Sequence, residues 1–185
     1  MDNIYQYGEN DVHPSAIIEA GAILGTGNTI KEGVIIRAGV QIGDNNHVGP
    51  YCIIGDNAEK VGFFNKPGLV IIGSGNRFTK QITIDAGTER PTIIKNNTIL
   101  LKNAHVGHDA VIKDGVTLSC NVCIGGFTEV GDRTNFGLGA VAHQRLVIPS
   151  DIMVGMNTTI TKKTHLEPNR KYVGSPARDM GENKK

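Results

Sequence analysis

Apolar residues recur along this chain at every sixth position. From Ile94 the series runs through Leu100, Val106, Ile112, Leu118, Ile124, Val130, Phe136, Ala142, Ile148 and Val154 to Ile160, with no polar residue among them. A helix repeats its face every 3.6 residues and a plain strand every two, so neither gives this spacing. A strict period of six predicts a hexapeptide solenoid, a coil of short parallel strands stacked turn upon turn. The first part of the chain keeps the same period through Val12, Ile18, Leu24, Ile30, Ile36, Ile42, Val48 and Ile54. Four residues after these aliphatics stand small or apolar side chains (Ala16, Ala22, Val34, Val40, Cys52) and two asparagines, Asn28 and Asn46. Each step is expected to bury one side chain from a flat face, while Gly, Asn and Asp turn the corners. Three hexads per turn would make a triangular prism of seven or eight coils, with residues i and i+18 one above the other.

The period breaks twice. Over residues 55–70 Lys60 and Lys66 hold the places of aliphatics, and Pro67-Gly68 marks a turn. The step from Ile54 to Ile72 equals three hexads, and the segment, which carries Phe63-Phe64, reads as a loop extruded from the wall. Loops held by a rigid scaffold commonly carry function. The second break lies between Ile84 and Ile94, where ten residues replace six and the run from Asp85 to Pro91 fills the gap. The expected organisation is an all-β parallel β-helix over 1–160 with loop 55–70, then a short tail over 161–185 without hexads.

Composition narrows the function classes. The 185 residues suffice for one domain with a substantial core. Nineteen basic residues against eighteen acidic ones leave no charge bias toward nucleic acid or an anionic membrane. No run is apolar enough for membrane insertion, and the start, Met1 to Tyr5, lacks the regions of a signal peptide. A cytoplasmic location is the expectation. Cys52, Cys120 and Cys123 are odd in number and lack paired-ligand spacing, which argues against disulfides and a zinc site.

The candidate chemistry lies in Asn103-Ala104-His105-Val106-Gly107-His108-Asp109, followed by Ala142-His143-Gln144. These runs, the hexads, the start His13-Pro14-Ser15-Ala16-Ile17 and the 84–88 segment resemble the left-handed β-helix acyltransferases. They are similar to the UDP-N-acetylglucosamine acyltransferases of lipid A biosynthesis over about residues 12–160. The resemblance implies a left-handed coil and a homotrimer with sites between subunits. It makes His108 the general base and Gly126 the backbone N–H donor to an oxyanion. It places His105 and His143 at the substrate. The spacing agrees independently: His108 and Gly126 are eighteen apart, so one corner of adjacent coils should hold both. The chain departs from the family pattern at Phe127 and Asp85, each of which replaces a histidine, and at Lys60 and Gly62 in the loop. It also lacks the family's C-terminal helical domain. These positions imply a changed substrate, and Asp85, Phe127, His105 and His143 are the candidate substrate contacts. The tail run Gly174-Ser175-Pro176-Ala177-Arg178 resembles the ending of acetyl-CoA-dependent hexapeptide transferases, which implies CoA contacts there and, for phosphates, at Lys162 and Lys163.

Acyl transfer from a thioester requires a base for the acceptor, a donor for the oxyanion and a groove that holds both substrates. An imidazole suits the first task. Asp109 could orient it, as a carboxylate does in a triad, but adjacent strand residues point to opposite faces, so this requires an intervening corner. Asp85 is the competitor. The sequence therefore predicts acetyl transfer from acetyl-CoA to the amino group of a nucleotide-linked amino sugar, serving cell-surface polysaccharide synthesis, with no metal. The alternative donor is acyl carrier protein, with O- or N-acylation of a UDP-sugar. From different classes come a trimeric zinc carbonic-anhydrase-like protein, for which His105-x-x-His108 gives ligand-like spacing, and a non-catalytic binding scaffold.

Overall fold

A computed structural model describes residues 8–62 and 68–184. Phe63, Phe64, Lys66 and Pro67 of the loop lie outside the described residues. The chain is a parallel β-solenoid of about nine turns with three sheets of ten, eight and seven strands, and the described residues contain no helix. Most strands are two residues long, an outward residue followed by an inward one, as in His105–Val106 and Val111–Ile112. The inward residues are the hexad aliphatics. Ile94, Ile112, Val130 and Ile148 pair in register up one sheet, and Ile84, Val106, Ile124, Ala142 and Ile160 up another. Ile112, Leu118, Ile124 and Val130 are wholly buried. Burial of each such side chain stabilises the fold by about 1.5–3 kcal/mol.

The corners repeat as regularly as the core. Three residues after each aliphatic the backbone takes a positive φ: Asn97, Asn103, Asp109, Gly115, Asn121, Phe127, Arg133, Gly139, Arg145, Asp151 and Asn157. Gly, Asn and Asp reach this left-handed region at least cost. One corner also carries a buried amide ladder. Asn28 Oδ1 accepts from the backbone N–H of Asn46, Asn46 Oδ1 from that of Asn76, and Asn76 Oδ1 from that of Thr98. Asparagine therefore enters the interior because its amide satisfies corner N–H groups that an aliphatic would leave unpaired.

The breaks alter the stacking rule. Ile72 does not sit above Ile54: it pairs with Ile42, and Ile54 pairs with Ile84. The reason is geometric. The loop leaves the solenoid after strand Ile53–Asp56 and returns at strand Val70–Ile72 on the next face, so its residues are added to one turn rather than replacing three steps. The 85–91 segment likewise lengthens a corner, so that Ile72 stacks on Ile94. The tail stays on the coil: Arg170–Val173 continues the ten-stranded sheet beside Met153–Val154, and Arg178–Glu182 folds back antiparallel on it. Tyr172 fills the end of the core, almost wholly buried.

Candidate active site

Strands Thr83–Asp85, His105–Val106 and Cys123–Ile124 are neighbours in the eight-stranded sheet. Their downstream corners bring Asp85, His108, Asp109, Gly126 and Phe127 to one edge. Asp109 stands on a corner. Its φ of 61° turns the side chain back, and Oδ2 meets His108 Nδ1 at 2.6 Å. A carboxylate only accepts, so Nδ1 carries the proton and Nε2 is the free acceptor. Nε2 faces the next coil: a Cβ built on Gly126 would lie 2.8 Å from it. Gly126 is buried, and its N–H donates to no group among the described residues. A buried unpaired N–H beside an imidazole is a ready oxyanion donor.

Asp109 is wholly buried and saturated. Besides His108 it accepts from Thr88 N at 3.1 and 3.0 Å, Thr88 Oγ1 at 2.8 Å, Glu89 N at 2.8 Å and Arg90 N at 2.7 Å. Burial would raise its pKa. The N–H groups of Arg90 and Glu89, the bond from His108 and the Thr88 hydroxyl outweigh burial and hold it well below the usual carboxylate range. Arg90 clamps the same corner through Asp109 O and Glu129 Oε1, at 2.9 and 3.0 Å. The second break is thus a cradle for the carboxylate. Sequence reasoning marked the 85–91 segment but not this role; the hint was its polar Thr88-Glu89-Arg90 run inside an otherwise aliphatic repeat.

Phe127 is the exception among the corner residues. Its φ of 60° is unfavourable for a bulky side chain. Its ring meets His108 edge-on, with centroids 5.2 Å apart at 88°, and the Arg145 guanidinium lies 4.0 Å above it. Beside it Glu89, Arg90, Glu129, Arg145 and Val147 line a cleft of about 360 Å³.

His105 lies on the same edge but bonds differently. Its Nδ1 meets Thr83 Oγ1 at 2.8 Å, and its Nε2 is 3.9 Å from Asp85. Of the two carboxylates, Asp109 is the one hydrogen-bonded to His108, and Asp85 faces His105. His143 is one coil further on, exposed, with Nδ1 donating to Gln144 O at 2.9 Å. In the tail, Gly174, Ser175, Pro176 and Ala177 form the turn of the terminal hairpin. That turn leans on the eight-stranded sheet: Ser175 Oγ bonds Thr159 Oγ1 at 3.0 Å and Ala177 N donates to Thr159 O. Arg178, Lys162 and Lys163 are exposed near it. Thr159 is two strands beyond Cys123, roughly 10 Å at ordinary strand spacing. Among the described residues no three His, Cys, Asp or Glu side chains are grouped to hold a metal ion, and the cysteines are free. No helix there is long and apolar enough to cross a membrane.

No protein-family model matches the chain. It is 28% identical over 173 residues to the acyl-[acyl-carrier-protein]–UDP-N-acetylglucosamine O-acyltransferase of Campylobacter concisus, covering 89% of this chain and 66% of that one, just under two thirds of its length. It superposes on the UDP-N-acetylglucosamine O-acyltransferase of Moraxella catarrhalis with a TM-score of 0.69 at 27% identity, covering 96% of this chain and 74% of that one. A TM-score of 0.76 with the Campylobacter jejuni UDP-N-acetylglucosamine acyltransferase, at 24% identity over 94% and 75% of the two chains, supports the fold. The repeat, the coiled sheets and these relatives together make the chain a hexapeptide-repeat β-helix protein similar to the UDP-N-acetylglucosamine O-acyltransferases.

Proposed function

We propose that this protein is an acyltransferase that moves an acyl group from a carrier-bound thioester to a UDP-linked sugar. One observation carries the reading: a buried Asp109 carboxylate fixes the His108 tautomer, which directs Nε2 at the corner where the buried Gly126 N–H has no partner among the described residues. Nε2 takes the proton of the acceptor as it attacks the thioester carbonyl. Gly126 N–H receives the oxyanion, and Asp109 stabilises the imidazolium. The protonated His108 then returns the proton to the departing sulfur. His105 and Phe127 flank the acceptor, and His143 lies toward the donor.

The similarity to carrier-protein-dependent enzymes favours acyl carrier protein over the acetyl-CoA expected from the tail run. Acetyl-CoA is the second reading, supported by the hairpin turn at Ser175 and the exposed Lys162, Lys163 and Arg178 beside the same sheet. In either case the groove is completed by a neighbouring copy in a homotrimer. The test is thiol release from acyl carrier protein thioesters and from acetyl-CoA, with UDP-N-acetylglucosamine and other UDP-sugars as acceptors. His108→Ala should abolish it. Full activity of that variant, or no thioester consumed with any acceptor, would sink the reading.

A further inference from the structure

The corner that carries Asp109 and Phe127 recurs one coil further on. Asp109, Phe127 and Arg145 hold the same place in three successive coils, with φ of 61°, 60° and 61°. Arg145 N donates to Gly126 O at 2.9 Å, so its backbone is tied to the oxyanion corner. Its guanidinium lies 4.0 Å over the Phe127 ring, and that ring meets the His108 imidazole at 5.2 Å. Cation–π attraction holds the group in place without engaging an N–H donor.

The charges of the cleft beside Phe127 single this residue out. Of the two carboxylates that line it, Glu89 pairs with Lys60 at 3.2 Å and Glu129 pairs with Arg90 at 3.0 Å. Arg90 is engaged further by Asp109 O. No carboxylate or carbonyl among the described residues accepts from the Arg145 side chain. Arg37, Arg133 and Arg170, by contrast, each hold a carboxylate at 2.7, 2.6 and 2.6 Å. The cleft therefore keeps one positive charge and a planar set of donors uncommitted, one aromatic ring away from the general base.

A guanidinium fork fits two oxygens of one phosphate. Distance decides which phosphate it meets. In a nucleotide-linked hexose the nearer phosphorus stands about five bonds from an acceptor atom on carbon 3, on the order of 6 Å. In a phosphopantetheine thioester about thirteen bonds separate sulfur from phosphorus, roughly 15 Å when extended. Imidazole and guanidinium are joined by two ring contacts in series, of 5.2 and 4.0 Å, which suits the shorter span.

We infer that Arg145 binds the diphosphate of the nucleotide-linked acceptor and thereby sets the sugar's reacting atom at His108. This rests on the acyl-transfer reading above and adds the anchor of its acceptor. Phe127 serves as the platform that carries the guanidinium.

The experiment uses the full chain. Binding of UDP-N-acetylglucosamine, UDP and uridine is read by calorimetry. Thiol release is read with an acyl carrier protein thioester and with an N-acetylcysteamine thioester, which has no phosphate. Wild type should bind UDP at least tenfold better than uridine. Arg145→Gln should weaken UDP and UDP-N-acetylglucosamine about tenfold to hundredfold, the usual loss for a charge-assisted hydrogen bond. It should raise KM for the sugar and leave KM for the carrier thioester unchanged. Arg145→Lys should recover only part of the loss, since it restores the charge without the fork. Unchanged UDP affinity in Arg145→Gln, or no preference for UDP over uridine in wild type, would overturn the inference. So would a rise in KM confined to the carrier thioester and absent with N-acetylcysteamine, which would give the phosphate to the donor. Lost UDP affinity in a protein that consumes no thioester would uphold the phosphate site and defeat the acyl-transfer reading instead. Arg145 is exposed, so both variants should melt with wild type; if Arg145→Gln does not fold, Arg145→Lys and the wild-type preference decide.

Discussion

Replacement of Gly126 by alanine tests the active-site geometry with a single methyl group. The backbone accepts a side chain at this corner, because Ala38, His108 and Gln144 hold the same position in other coils. The cost is therefore local. The new Cβ would lie 2.8 Å from His108 Nε2 and 2.9 Å from its Cε1, where ordinary contact begins at 3.4 Å, so the ring must retreat by about 0.6 Å. His108 cannot swing freely, since Nδ1 is tied to Asp109 at 2.6 Å and Phe127 packs against its face. Overpacking of this kind costs about 1–3 kcal/mol of stability. A misplacement approaching 1 Å at reacting groups costs on the order of 10²-fold in rate, and the methyl also crowds the space of the oxyanion. Gly126→Ala should therefore fold, lose a few degrees in thermal melting, and show kcat reduced about 100-fold with a smaller change in KM. Thiol release and a melt on the same preparation suffice. A variant with wild-type kcat would refute the assignment of Gly126 and the base orientation together.

Other predictions rest on separate contacts. Asp109→Asn keeps one acceptor oxygen but loses the one that receives His108 and the Thr88 hydroxyl, so urea denaturation should show a loss of about 2–4 kcal/mol and kcat should fall at least 100-fold. The folded carboxyl of Asp109 is depressed below its unfolded value, so its contribution is fully present above about pH 4 and fades as pH falls through the folded pKa. The stability gap between wild type and Asp109→Asn should accordingly be level from neutral pH to about pH 4 and narrow below it; a gap that narrows toward neutral pH would contradict this. Asn46→Leu should cost about 2–4 kcal/mol in urea unfolding, because it strips partners from Asn28 and Asn76 inside the core. Phe127→Asn relieves the left-handed strain, so stability should hold within about 1 kcal/mol while kcat/KM falls; lost stability with intact activity would make Phe127 a packing residue only.

The sequence carried much of this structure because a solenoid is nearly one-dimensional. A constant period of six specifies strand, corner and stacking neighbour at once, so the eighteen-residue separation of His108 and Gly126 translated directly into proximity. Where the period held, from Ile94 to Ile160, register followed residue by residue. Where it broke, counting failed: Ile72 stacks on Ile42 and not on Ile54, because a loop's length says nothing about the face on which it re-enters. The tail's place on the ten-stranded sheet follows the same count: Leu166 and Tyr172 continue the period past Ile160, and Tyr172 pairs with Val154 eighteen residues back, so the reading of a tail without hexads stopped the repeat too early.

The electrostatics of the site belonged to the tertiary structure. From sequence, Asp109 and Asp85 were rivals for one role, and strand parity weighed against Asp109. The positive φ at the corner reverses that parity, and the N–H groups of Thr88, Glu89 and Arg90, from a different coil, saturate Asp109. Asp85 instead takes a long hydrogen bond from Glu59 N and faces His105. Periodicity determines which residues face inward, since that depends only on local backbone geometry. Which of two carboxylates meets His108, and how many N–H groups hold it there, depends on donors brought across coils, and only the folded chain decides that.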